Sequence, residues 1–263
     1  MGDKMRFGWC HPASDAAMLA DTGFDFIELP LAGFGLEDAA SLAAAKAKVQ
    51  DLPLPVGAFN YFMPQDMRVV GPDVDETRVR SYLARAAELM AQTQAGIVVY
   101  GSGWARNLCA GLSRARQEEQ FLQSLEWAAD AVKGTGITVV IEPLNLKESD
   151  IATSVDEATG FAKTVNRDEI RVLADFYHMD EEQEPFDTVI RNADWLRHMH
   201  LADTGRHHPG SGRYPYAAFF SALKTAGYAG RLSVECKPAS PEDHTSALQF
   251  LQSAWDAAEV SIR

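Results

Sequence analysis

Positive charge is in short supply in this sequence. Its 24 Lys and Arg residues stand against 37 Asp and Glu, for a formal net charge of −13. Binding a nucleic-acid backbone needs clustered cations, so no nucleic-acid partner is expected. Long apolar runs are missing as well. Nothing reaches the ~18 consecutive apolar residues of a membrane span. The opening MGDKMRFGWC is charged and lacks the apolar stretch of a signal peptide. The expectation is therefore no membrane partner and a cytoplasmic location. Cysteine is rare: Cys10, Cys109 and Cys236 lie far apart and form no CxxC pair. That argues against a structural zinc clip and for free thiols in a reducing compartment. The GxG patterns starting at Gly33, Gly101, Gly134 and Gly210 lack a third glycine, and none follows the first apolar run. A dinucleotide-binding fingerprint is thereby excluded.

What is present is an alternation that covers all 263 residues, with 46% apolar and 23% charged side chains, enough for a large core. Short apolar runs predict strands at Arg6–Cys10, Phe24–Leu29, Val56–Tyr61, Gly96–Tyr100, Thr138–Pro143, Arg171–Phe176, Arg197–Leu201 and Arg231–Cys236. Between and after them, apolar spacings of three and four residues, as in Tyr82, Ala86, Leu89 and Met90, predict helices. These fall at about 14–21, 36–50, 74–94, 114–134, 154–165, 186–194, 216–226 and 242–260. Ser154 followed by Glu157 reads as a capping box. Gly134 and Gly136, like Gly227 and Gly230, stand where a helix stops and a strand begins. Eight βα units without a long polar linker favour an α/β class chain folded as one (β/α)8 barrel domain over residues 1–263.

In such a barrel the chemistry collects where the strands end. Four consecutive runs end in metal-competent groups: VVIEPLN with Glu142, VLADFYH with Asp175, HMHLAD with His200 and LSVEC with Glu235. Carboxylates that follow runs such as TVVI and RLSV lie near the buried axis, where an unpaired charge is costly. Four such groups, together carrying about −3, repel one another unless a cation sits between them. Three carboxylates and one imidazole suit Mn²⁺ best, with Mg²⁺ and Co²⁺ as further choices, rather than a thiolate-seeking metal. His198 and His200 share a face of their strand, with His198 deeper and reading as a hydrogen-bonded core residue or a support for the ligands rather than a ligand. His178, three residues beyond Asp175, is expected on the loop past the strand.

The stretches IEPLNLKE (141–148), DFYHMDEE (175–182), HMHLADTGRHHPGSGRYPY (198–216) and GYAGRLSVECKP (227–238) carry a resemblance. The chain resembles the xylose-isomerase-like barrels, and among them the ketose 3-epimerase (tagatose/psicose type) and hydroxypyruvate isomerase branch. The match covers the C-terminal half in order; the N-terminal half matches only as alternating strands and helices. The resemblance implies Glu142, Asp175, His200 and Glu235 as ligands of a divalent metal. It also implies Glu148, His178 and Arg206 as residues that grip the reacting end of a sugar substrate. Related barrels often pair, so it allows a homo-oligomer. Cys236 and Lys237 take no role from it, and Cys236 reads as a buried thiol.

The implied reaction moves a proton between or at adjacent carbons of a hydroxy-carbonyl sugar through a cis-enediolate. Glu142 and Glu235 act as the acid–base pair, and ketose 3-epimerisation is the leading reading. Trp9, His11, Phe59, Tyr61, Trp104 and Arg106, at or beyond the ends of the first, third and fourth strands, are candidate pocket residues. The loop Pro209–Gly212 reads as a tight turn, since no lysine cluster makes it a phosphate site. The alternatives are isomerisation of hydroxypyruvate, with Arg106 as the cation for its carboxylate, and an inosose dehydratase-type lyase. A non-catalytic barrel that binds sugar for regulation has no need of a paired acid and base. An endonuclease is disfavoured by the net charge and by too few further histidines.

Overall fold

The structure is a computed structural model that describes residues 4–93 and 95–260. Eight parallel strands close on themselves in chain order, β1 Arg6–Cys10, β2 Phe26–Pro30, β3 Val56–Asn60, β4 Ile97–Tyr100, β5 Thr138–Ile141, β6 Ile170–Asp175, β7 Leu196–Leu201 and β8 Arg231–Val234. Closure is made by β1 against β8, where Phe7 pairs with Leu232 and Trp9 with Val234. The (β/α)8 barrel expected from the alternation is the observed fold.

Ten helices lie among the described residues. They are α1 Ala16–Thr22, α2 Ala39–Gln50, α3 Glu76–Met90, α4 Gly103–Arg106, α5 Arg114–Val132, α6 Val155–Val165, α7 Phe176–Glu181, α8 Asp187–Arg191, α9 Tyr216–Thr225 and α10 Pro241–Ala257. The short α4 and α7 were not among the expected helices: a single turn holds too few residues to show a period. The expected helix at 74–94 ends at Met90, and residue 94 lies outside the described residues. None of the described helices is long and apolar enough to cross a membrane.

Strand parity sorts the side chains. Val98, Val139, Val172, Met199 and Leu232 point outward and join the large core between barrel and helices. Their neighbours Val99, Val140 and Leu173 form a separate buried cluster inside the barrel. Successive residues of a strand face opposite sides, so residues two beyond this inner cluster also point inward, one layer higher. That layer forms the C-terminal mouth.

Several strand ends fall short of expectation for local reasons. β5 stops at Ile141 because Pro143 has no N–H for the ladder. β6 stops at Asp175 because its carboxylate caps α7, accepting from the Tyr177 N–H at 2.7 Å and the His178 N–H at 3.4 Å. Gly134, at φ +77°, takes the left-handed turn after α5 that a side chain would strain. The capping box at Ser154 is only half formed. Ser154 Oγ accepts from Glu157 N at 3.2 Å, but the Glu157 carboxylate turns to the N–H and hydroxyl of Thr153, at 2.8 and 2.9 Å. The next free donor of α6, Val155 N, is met at 3.0 Å by Glu184 from the α7–α8 connection.

Candidate active site

Glu142 follows the last residue of β5, Asp175 ends β6, His200 sits late in β7, and Glu235 follows β8. Each stands two residues beyond an interior position: Val140, Leu173, His198 and Ser233 respectively. The strands therefore turn all four into the mouth. One ligand atom from each can be chosen so that all four lie within 4.8 Å of one another. The His200 Nδ1 atom faces the three carboxylates, 2.8 Å from Glu142 Oε1, 3.6 Å from Glu235 Oε2 and 3.9 Å from Asp175 Oδ2. Asp175, Glu142 and His200 are buried, and Glu235 is nearly so.

Burial raises the Glu142 carboxyl above its ordinary range, with Glu235 and Asp175 adding to the push against the pull of His200. Asp175 is raised by burial in the same way. Glu235 goes down: burial would raise it, but the positive charges of His200 and Arg206 prevail. Burial opposes charge on His200, yet Glu28 and Glu142 carry it well above its ordinary value.

A divalent cation suits this cage. Asp175 Oδ1 is used to cap α7, while Asp175 Oδ2 is buried without any hydrogen-bond partner. A buried carboxylate oxygen with no donor in hydrogen-bond reach has room for a direct positive partner. Three oxygen donors and one imidazole nitrogen are a set that hard divalent ions accept.

The three residues assigned to the substrate lie around the same mouth. Arg206 reaches it from the turn after β7, donating to Glu235 Oε2 at 2.5 Å and to Glu148 Oε2 at 3.3 Å, with its guanidinium 4.9 Å from the centre of the Tyr177 ring. Glu148 also accepts from Asn145 Nδ2 at 3.0 Å. His178 is not on a loop as expected: it lies in α7, buried. Its Nδ1 accepts from the backbone and side-chain amides of Asn145, at 3.1 and 2.9 Å. Two donors on Nδ1 place the proton on Nε2. That Nε2 is buried without a hydrogen-bond partner, 3.8 Å from Asp175 Oδ2.

Tyr61, Trp104, Glu142, Glu148, Arg206 and Glu235 take part in lining a cavity of about 110 Å³ above this cage. Tyr61 and Trp104 stack at 5.9 Å on its rim. The other pocket candidates point elsewhere. Trp9 and Phe59 are buried in the core between barrel and helices. His11 turns to Asp15 at 2.8 Å and to His244 at 3.0 Å. Arg106 is fully buried and donates to the carbonyls of Tyr100, Glu142 and Ile151, at 2.7, 2.6 and 2.9 Å, tying the ends of β4 and β5 together. It is a structural clamp and not a cation for a substrate carboxylate. The Pro209–Gly212 turn is organised by Asp203, whose carboxylate accepts from Gly210 N at 3.0 Å. Cys236 is half-buried rather than buried, its thiol donating to the Lys237 carbonyl at 3.1 Å.

Three residues at the site escaped the sequence reading. Asn60, ending β3, donates to Glu235 Oε1 at 3.1 Å. Gly101, just past β4, has no room for a side chain, since a Cβ there would lie 1.6 Å from Glu142 Oε2. Glu28, in β2, is fully buried inside the barrel against His198 and His200. Its signal was a charge between Ile27 and Leu29 in an apolar run, which a strand can bury only with a partner.

Residues 16–254 match the xylose isomerase-like TIM barrel family. The chain belongs to that family. One relative is the D-psicose 3-epimerase of Agrobacterium fabrum, 29% identical over 154 residues, which are 58% of this chain and 53% of that protein. The 3-dehydro-D-guloside 4-epimerase of Escherichia coli is 24% identical over 82% of this chain and 84% of its own length. A protein named as a hydroxypyruvate isomerase also matches. The match thus spans about half the length of the D-psicose 3-epimerases, 53% and 46% of two of them. Among solved structures, D-psicose 3-epimerase with D-tagatose from Clostridium cellulolyticum H10 superposes with a TM-score of 0.82 at 16% identity, covering 95% of this chain and 99% of that one. At that identity the likeness is one of fold.

Proposed function

We propose that this chain is a divalent-metal-dependent sugar epimerase that moves a proton at a carbon next to a carbonyl, acting as a ketose 3-epimerase. The observation that carries the reading is the pairing of two carboxylates across one cavity. Glu142 and Glu235 come from β5 and β8, on different sides of the mouth, and both face the cage of Asp175 and His200. A cation bound there, Mn²⁺ by preference, supplies the charge that acidifies a C–H beside a carbonyl.

The chain's own residues do the rest. One of Glu142 and Glu235 removes the proton, giving a cis-enediolate, and the other returns a proton to the opposite face. His178 holds its Nε2–H toward the cage and donates to the developing oxyanion. Arg206 holds Glu235 and Glu148 in place and adds positive charge at the reacting end. Tyr61 and Trp104 offer flat apolar faces to the rest of the sugar. An uncharged substrate fits best, because among the described residues Arg206 is the only cationic side chain lining the cavity and two carboxylates already hold it. With Arg106 enclosed by backbone carbonyls, the hydroxypyruvate reading loses the cation it needs.

The test is a panel of free ketoses, aldoses, hydroxypyruvate and inososes, assayed with Mn²⁺ and after chelation. A ketose should be epimerised only with metal present, with solvent deuterium incorporated at the reacting carbon. Glu142→Gln and Glu235→Gln should each lose at least about a hundredfold in turnover. Near-normal turnover in either variant, or product free of deuterium in D₂O, removes the proton-transfer scheme.

A further inference from the structure

The interior of the barrel holds a charged group that the reaction itself does not use. Glu28 is fully buried, and its carboxylate crosses from β2 to β7. One oxygen, Oε2, accepts from His198 Nε2 at 2.7 Å; the other, Oε1, accepts from His200 Nε2 at 2.9 Å. The Cys10 sulfur closes the same edge of His200, 4.0 Å from Nε2. An ionised carboxylate can only accept, so both imidazoles turn an N–H toward Glu28.

The consequence differs for the two rings. His198 lies one layer below the mouth, where its Nδ1 is buried without a partner and faces no acid of the cage. His200 has its Nδ1 among Glu142, Glu235 and Asp175, at 2.8, 3.6 and 3.9 Å. Fixing the proton on His200 Nε2 leaves Nδ1 as the atom whose lone pair can meet a cation. It also stops the ring from turning over and offering the wrong edge. A carboxylate behind a ligating histidine is a recurring device for setting its tautomer and orientation.

We propose that Glu28 is a positioning residue for the cation site: it locks the ring and the Nε2–H tautomer of His200 and so presents Nδ1 to the metal. The proposal rests on the reading of Glu142, Asp175, His200 and Glu235 as a cation cage. Glu28 stands behind His200 and is not one of the four cage residues. A purely structural role would make it one half of a buried ion pair that stabilises the barrel and leaves metal affinity alone.

The experiment is a calorimetric titration of chelator-stripped protein with Mn²⁺ alone, alongside thermal melting of each variant. Glu28→Gln keeps the shape but cannot accept from both imidazoles, because one end of an amide donates. It should melt cooperatively and bind Mn²⁺ about tenfold to a hundredfold more weakly, the scale of lost support behind a metal ligand. His198→Gln leaves the Glu28–His200 contact intact; it should lower the melting temperature yet bind Mn²⁺ with near wild-type affinity. Unchanged affinity in both Glu28→Gln and Glu28→Asp overturns the proposal, since an amide oxygen turned to His200 can still accept from it. So does an equal loss in His198→Gln, which would mean that any disturbance of the interior has the same effect. If Glu28→Gln does not fold, Glu28→Asp decides, since its charge is kept one methylene short of the rings. Weakened Mn²⁺ binding supports the proposal and normal binding removes it. A wild-type protein that takes up no Mn²⁺ at all overturns the cage reading, and the role of Glu28 with it.

Discussion

At the scale of single residues, the site depends as much on absent atoms as on the side chains that face it. Gly101 lets the Glu142 carboxylate lie against the end of β4, where a Cβ would come within 1.6 Å of Oε2 and 2.8 Å of Cδ. Gly101→Ala therefore has to push Glu142 aside. The expected outcome is a folded protein with turnover down by about a hundredfold, the cost of displacing a reacting group by about an ångström. Steady-state kinetics beside a thermal melt checks this, and turnover within a few-fold of wild type would mean that Glu142 has slack to spare. The difference in legibility between these neighbours is physical. Glu142, Asp175, His200 and Glu235 were visible in the sequence because each ends an apolar run, and the barrel rule turns such residues inward. Gly101 carries no side chain to signal its purpose. Arg106 was misread as a pocket cation because a basic residue just past a strand end is expected at the barrel mouth; the carbonyls that enclose it come from residues 100, 142 and 151, which only folding brings together.

At the scale of elements, the helix ends carry information that spacing alone misjudges. α6 is capped by two side chains, Ser154 and Glu184, and Glu184 lies 29 residues beyond Val155, whose N–H it meets. Burial lifts the Glu184 carboxyl from 4.5 to about 7. A carboxyl raised on folding keeps its proton in the native state while the unfolded chain has lost it. Its contribution to stability is thus full below about pH 4.5 and is lost as the pH rises through about 7. Glu184→Gln stays neutral throughout, so its stability should fall less than that of the wild type between pH 5 and pH 8. Urea unfolding at both values measures this; parallel losses in the two proteins would show that Glu184 titrates normally. The box expected at Ser154 was half right for a similar reason. The S-x-x-E spacing names the helix start, but Thr153 competes for the Glu157 carboxylate and wins it. α7 was unreadable as a helix, yet its cap, Asp175, is one of the cage residues. That double duty explains why His178 faces the mouth from a buried turn instead of a loop.

At the scale of the whole molecule, the alternation of eight apolar runs with amphipathic stretches was enough to indicate a closed barrel. The inner layer of Val99, Val140 and Leu173 follows from period two once closure is known. What the alternation could not show was distance across the barrel, and so it missed Glu28 reaching His200 over 172 residues of chain. A cation bound only by the folded state must stabilise it. Mn²⁺ at a hundred times its dissociation constant adds about 2.7 kcal/mol, and with a chain of this length shifting by about 2–4 °C per kcal/mol, the melting midpoint should rise by roughly 5–10 °C. Scanning with Mn²⁺ and with chelator tests this, and identical midpoints would count against a cage in the folded chain. The cage also has a lopsided address, which bears on how such a protein can change. All four cage residues lie in or just past the last four strands, while Tyr61 and Trp104, on the rim, belong to connections after β3 and β4. On the proposed reading, the parts of those connections that carry Tyr61 and Trp104 can change in length and composition, provided that Asn60 and Gly101 at their roots keep Glu235 and Glu142 in place. On that reading the far end of a sugar meets the rim and its reacting end meets the cage, so a change of substrate can be made at the rim alone.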